Sequence, residues 1–113
     1  MAKFDANGKL IRLRDKNFFG RLAITTTSFS TAGHKVSWDF ISTGIAILNE
    51  SETKGDIVEY SFDGTILHGD LSAVTASAGI IFDNRHESNI WFRLKTLVTP
   101  AVMVRVEAWR SGA

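Results

Sequence analysis

The chain has no cysteine and a single proline, Pro100, in 113 residues. Without thiols there is no disulfide, no thiolate metal site and no cysteine nucleophile, and the composition is compatible with assembly in a reducing cytoplasm. Pro100 follows Thr99 between two patterned runs, where a missing backbone N–H costs least. Charge of one sign is also scarce: the formal net charge is +1, too small for a field that would draw in nucleic acid or an anionic membrane. No apolar run approaches the roughly 20 residues of a membrane span. The first residues, with Lys3, Asp5, Asn7 and Lys9, lack the apolar stretch of a signal peptide. The expectation is a chain that neither spans a membrane nor leaves the cell by that route. No stretch of about a dozen residues shows a helical period, and no internal repeat, low-complexity tract or linker divides the sequence. One domain over residues 1–113 is expected.

What is present is period two, the pattern of strands. Ile90, Phe92 and Leu94 alternate with Trp91, Arg93 and Lys95. Val102, Val104, Val106 and Ala108 alternate with Met103, Arg105, Glu107 and Trp109. Further runs cover Leu10 to Leu13, Arg21 to Phe29, His34 to Ile41 with Trp38 expected in the core, Gly44 to Leu48, Asp56 to Phe62, Thr65 to Leu71 and Ile80 to Phe82. Asn7-Gly8, Asp15 to Asn17 and Asp83 to Asn89 read as turns, and Asn49 to Gly55 as a polar loop. Asp63-Gly64 is the pair favoured by two-residue type I′ hairpins and predicts a tight turn there. Ser72 to Gly79 fits neither a strand nor a long helix. About eight or nine short strands at roughly 8–12-residue spacing predict an all-β antiparallel sandwich of jelly-roll type. With eight Phe and three Trp but one Tyr, the aromatic content suits a packed apolar interior.

Several groupings could carry chemistry. Three imidazoles can hold a metal, but His34, His68 and His86 have no partner at ligand spacing, and solvated loop histidines are the simpler reading. The loop Asp83-Asn84-Arg85-His86-Glu87-Ser88-Asn89 is rich in oxygen ligands for calcium. It lacks the spacing of a dedicated calcium loop and carries Arg85, so a hydrogen-bonded turn is favoured. No nucleophile elbow and no glycine-rich phosphate loop occurs. The remaining feature is the second face of the last two strands, where Trp91, Arg93, Arg105 and Trp109 form a candidate interface or ligand contact. Tryptophan and arginine are the types most enriched at binding hot spots. Cover by another part of the same chain is an equal alternative. If the two strands pair, Arg93 or Arg105 can face Glu59 or Glu107 across the sheet.

The run Val58-Glu59-Tyr60-Ser61-Phe62-Asp63-Gly64, with Leu67-His68-Gly69-Asp70-Leu71, Phe82-Asp83-Asn84-Arg85, Ile90-Trp91-Phe92-Arg93 and Val104-Arg105-Val106-Glu107-Ala108-Trp109, resembles small β-rich virion proteins of tailed bacteriophages. The resemblance covers roughly the C-terminal half. It implies a subunit present in many copies on a capsid, tail or fibre, assembled in the host cytoplasm as a homo-oligomer with other virion proteins. It implies no cofactor, no reaction and no catalytic residue. The expected function is therefore that of a non-enzymatic virion structural or decoration protein. A carbohydrate-binding module, with Trp91 or Trp109 stacking on sugar rings, is the alternative, and a small barrel enzyme built on the three histidines is a further one.

Overall fold

The structure, a computed structural model, describes residues 3–4, 10–11, 14–53, 55–73, 78–97 and 101–111. Among them there is no helix. Ten strands are present: β1 Lys3–Phe4, β2 Leu10–Ile11, β3 Arg14–Ile24, β4 Lys35–Ser37, β5 Gly44–Asn49, β6 Ile57–Ser61, β7 Gly69–Ser72, β8 Ala78–Phe82, β9 Asn89–Leu94 and β10 Val102–Ser111. The short pair β1-β2 stands apart from two four-stranded antiparallel sheets, a long one ordered β3-β10-β5-β8 and a short one ordered β4-β9-β6-β7. In the eight-strand part, the first strand pairs with the last, the second with the seventh, the third with the sixth and the fourth with the fifth. That nested connectivity is a jelly roll, so the sequence-based expectation of an all-β sandwich of this type is met.

Alternation explains why these segments pair as they do. On β10, Val102, Val104, Val106 and Ala108 are buried; on β9, Ile90, Phe92 and Leu94 are. Both sets join Ile24, Ile45, Ile47, Val58, Leu71, Trp38 and Phe40 in one core between the sheets. Full burial of a side chain such as Phe92 contributes about 2–3 kcal/mol. Aromatic edges close one end of that core, with Phe62 and Phe82 rings 5.4 Å apart and near perpendicular, and Tyr60 against both.

Four segment expectations need correcting. The predicted turn at Asp15 to Asn17 lies inside β3, which runs on antiparallel to β10 as far as Arg14; long-range pairing overrides the local turn preference of Asp and Asn. Strand structure stops at Ile24, and residues Thr25 to His34 form a loop around the His34 ring. β4 is three residues long rather than reaching Ile41. Trp38 still enters the core, its indole N–H donating to the Glu87 carbonyl at 2.9 Å. The Asp63-Gly64 connection is not a two-residue hairpin: β6 and β7 pair as Tyr60↔Gly69 and Val58↔Leu71, leaving residues Phe62 to His68 as a longer loop. Only Gly64 there has positive φ, at 82°, whereas a type I′ turn needs it at both central residues. The expected Asn7-Gly8 turn, Leu13, residues 74–77 of the Ser72 to Gly79 segment and Thr99-Pro100 lie outside the described residues.

Candidate functional site: two opposite sheet faces

β9 and β10 turn their apolar residues into the same core from different sheets, so their second faces point away from each other. This corrects the expectation of a single Trp91, Arg93, Arg105, Trp109 surface. The strands do not pair; Trp91 and Arg93 lie on the outer face of the short sheet, Arg105 and Trp109 on that of the long sheet. Parity along each strand is visible in the sequence, but the partition of strands between sheets is not.

On the short sheet both residues are tied down. Arg93 Nε donates to Glu59 Oε1 at 2.7 Å, the two residues being direct register partners on β9 and β6. Its guanidinium also sits 4.2 Å from the Phe29 ring centroid. Arg93 thus meets Glu59 across a sheet, but through β6 as the neighbouring strand; the pairing of β9 with β10 on which that expectation is conditioned does not form. Trp91 carries the Lys35 ammonium 5.0 Å from its ring centroid and lies against Gly64, where a Cβ would stand 2.9 Å from Trp91 Cε2. The indole is thus packed into its sheet between a cation and a glycine.

The outer face of the long sheet is more open. Its rows follow from the register: Arg21, Arg105, Leu48 and Gly79 lie side by side across β3, β10, β5 and β8, and Phe19, Glu107, Ala46 and Ile81 form the next row. Phe19 is 56% exposed and Ile81 64%. Between β10, β5 and β8 the face dips into an open depression of about 700 Å³ bordered by Ala46, Leu48, Ile81, Arg105 and Glu107. Trp109 lies flat over Gly44, the only residue type that leaves room for it: an added Cβ would come within 2.3 Å of the ring.

Charges on this face are organised around Glu50. Arg21 donates to it through two nitrogens, at 2.8 and 3.2 Å. That hydrogen bonding raises the Arg21 guanidinium above its ordinary value and lowers the Glu50 carboxyl, with Arg105 adding a positive field. Among the described residues, neither Arg105 nor Glu107 has an ion-pair partner of its own.

The remaining candidates do not converge. His34 is buried. Its Nε2 accepts the Thr25 backbone N–H at 3.0 Å, and its Nδ1 donates to the Phe92 carbonyl at 3.1 Å. It is a core residue rather than the solvated histidine the sequence suggested. His68 Nδ1 accepts the Phe62 N–H and His86 Nε2 lies 3.0 Å from Asn84 Oδ1. No group of three or more metal-binding side chains occurs among the described residues. The loop Asp83 to Asn89 is held through its main chain: Ser42 N–H donates to the Glu87 carbonyl and Ser42 Oγ–H to that of Arg85. Arg85 stacks 4.1 Å from the Phe62 ring centroid and pairs with Glu87 at 2.9 Å.

Sequence reasoning missed Phe19, Leu48 and Ile81 as surface residues. The available signal was the doublet: in Phe18-Phe19 and Ile80-Ile81 two adjacent apolar residues cannot face the same side of a strand, so one of each pair must point away from the core. The chain matches no protein-family model and no curated protein sequence.

Proposed function

We propose that the protein is a non-enzymatic structural subunit of a bacteriophage virion, an oligomeric component or decoration of the capsid, tail or fibre. The observation that carries this reading is the outer face of the long sheet, where exposed Phe19 and Ile81 flank Arg105 and Glu107 on a broad sheet surface. Grouped exposed apolar side chains with charges among them are characteristic of protein contact surfaces. The jelly roll adds support, being an architecture that viral capsids use, and so does the resemblance of the C-terminal half to small phage virion proteins. The glycan alternative has less behind it, because each candidate indole already has one side engaged, Trp91 by Gly64 and Trp109 by Gly44.

The test is the solution mass of the purified protein by light scattering at two widely separated concentrations. A defined oligomer is the expected result. A monomer at both concentrations would overturn the reading as an oligomeric subunit.

A further inference from the structure

The outer face of the long sheet is complementary to itself. A two-fold axis set in the plane of a face-to-face contact and running across the strands at the level of Val106 would reverse strand direction while stacking each strand on its own copy. The row at the level of Arg105 would then face the row at the level of Glu107. Arg105 of one copy opposes Glu107 of the other, twice over, and among the described residues neither of the two has an ion-pair partner within 4 Å. Sizes match as well as charges. Leu48 opposes Ala46, and the protruding Ile81 opposes Gly79, which has no side chain. At the β3 margin Arg21 opposes the exposed Phe19 ring, a cation–π arrangement. Aligned sheets cross at about 30°, so the fit is closest over β10 and β5 and loosens outward.

We infer that this face is the contact between two copies of the chain in an isologous dimer, with Arg105 and Glu107 as its charge-matching pair. The inference deepens the assembly reading and rests on it for the partner being protein. Its own content is the two-fold symmetry and the named pair. An isologous contact requires that residue i meet j and j meet i, which the alternation of Arg105 with Glu107 about Val106 provides.

The test is a charge-exchange series read by sedimentation velocity over a range of concentrations. The wild-type chain should show a monomer–dimer equilibrium. Arg105→Glu and Glu107→Arg should each weaken it by at least about a hundredfold, because like charges then meet at both symmetric positions. The double exchange, which restores opposite charges, should recover most of the loss. Circular dichroism melts of each variant separate weakened association from misfolding. Three outcomes overturn the inference while leaving the assembly reading in place: a trimer or other odd oligomer, a dimer indifferent to both single exchanges, and a double exchange as weak as the singles. A monomer at every concentration overturns both.

Discussion

Gly64 sits at φ 82° directly against the Trp91 ring, so two effects oppose any larger residue: left-handed backbone disfavours a β-branched side chain, and the Cβ would displace an indole held on its other side by Lys35. Gly64→Val should destabilise the fold by about 2 kcal/mol or more, read as a lower urea midpoint together with a changed Trp91 emission. An unchanged midpoint would mean that the loop does not depend on this glycine. Asn49 is a second residue whose role is out of proportion to its appearance. Fully buried, it donates through Nδ2 to the carbonyls of Asp56 and Leu71, both at 3.0 Å, and accepts the Ser51 N–H at 2.9 Å. One amide at the end of β5 in the long sheet thus reaches a carbonyl of β7 in the short sheet and two backbone groups of the loop between β5 and β6. Asn49→Ala should cost about 1–3 kcal/mol by removing these hydrogen bonds, the buried one to the Leu71 carbonyl above all, and Asn49→Asp more, because a carboxylate would face both carbonyls. Equal stability of the Ala variant in chemical denaturation would refute that. From the sequence Asn49 reads as the start of a polar loop, and His34 as a solvated loop residue. Composition reveals that a residue is polar but not that its partners wait in the fold, as Leu71 does for Asn49 and Phe92 for His34.

The β6–β7 connection shows how an element can be legible in kind and wrong in register. Asp-Gly marks a turn, and a turn is there. A two-residue hairpin centred on it would pair Tyr60 with Leu67, whereas the observed partner is Gly69. The shift is by two residues, so the faces keep their parity. It brings Leu71 opposite Val58 and into the core while Ile66 and Leu67 stay exposed. Gly69 fits because a Cβ at that position would come within 2.4 Å of the Tyr60 hydroxyl. The loop is then closed by Asp63, whose Oδ1 accepts the Thr65 and Ile66 N–H groups at 2.8 Å and the Ser61 hydroxyl at 3.0 Å. Those backbone N–H groups hold the carboxyl below its ordinary value. A carboxyl lowered in the folded state adds stability at pH values above its unfolded value, and that stability is lost as pH falls through the lowered folded value. Glu50, lowered by Arg21, acts in the same direction. Stability should therefore decline as pH drops below about 4, and Asp63→Ala should be weaker at neutral pH with a shallower acid limb. A parallel displacement of the whole pH–stability curve would place the acid sensitivity elsewhere.

At the scale of the molecule, the last two strands carried the sequence reading and also set its limit. Their inward and outward residues were assignable from alternation alone, as were the sandwich class and the inward position of Trp38. What alternation cannot encode is that the chain crosses from one sheet to the other between Leu94 and Val102, which sends Trp91 and Trp109 to opposite sides. The same crossing makes β10 the strand on which the long sheet depends. It pairs with β3 on one side and β5 on the other, and its Val102, Val104, Val106 and Ala108 lie at the centre of the core. The partner β3 comes from the opposite end of the described sequence, so the long sheet cannot form until nearly all of the chain is present. Such non-local pairing is intrinsically slow to fold. A chain ending at Ala101 should therefore lack cooperative unfolding and a native near-ultraviolet spectrum, since β3 and β5 would each lose a neighbour and the core an entire row. Supplying a peptide of residues 101–113 in trans should restore both signals, because the missing strand slots between two existing edges through backbone hydrogen bonds and alternate apolar side chains, as in strand-addition complexes. A cooperative transition in the truncated chain without the peptide would show that the short sheet can hold the core closed on its own.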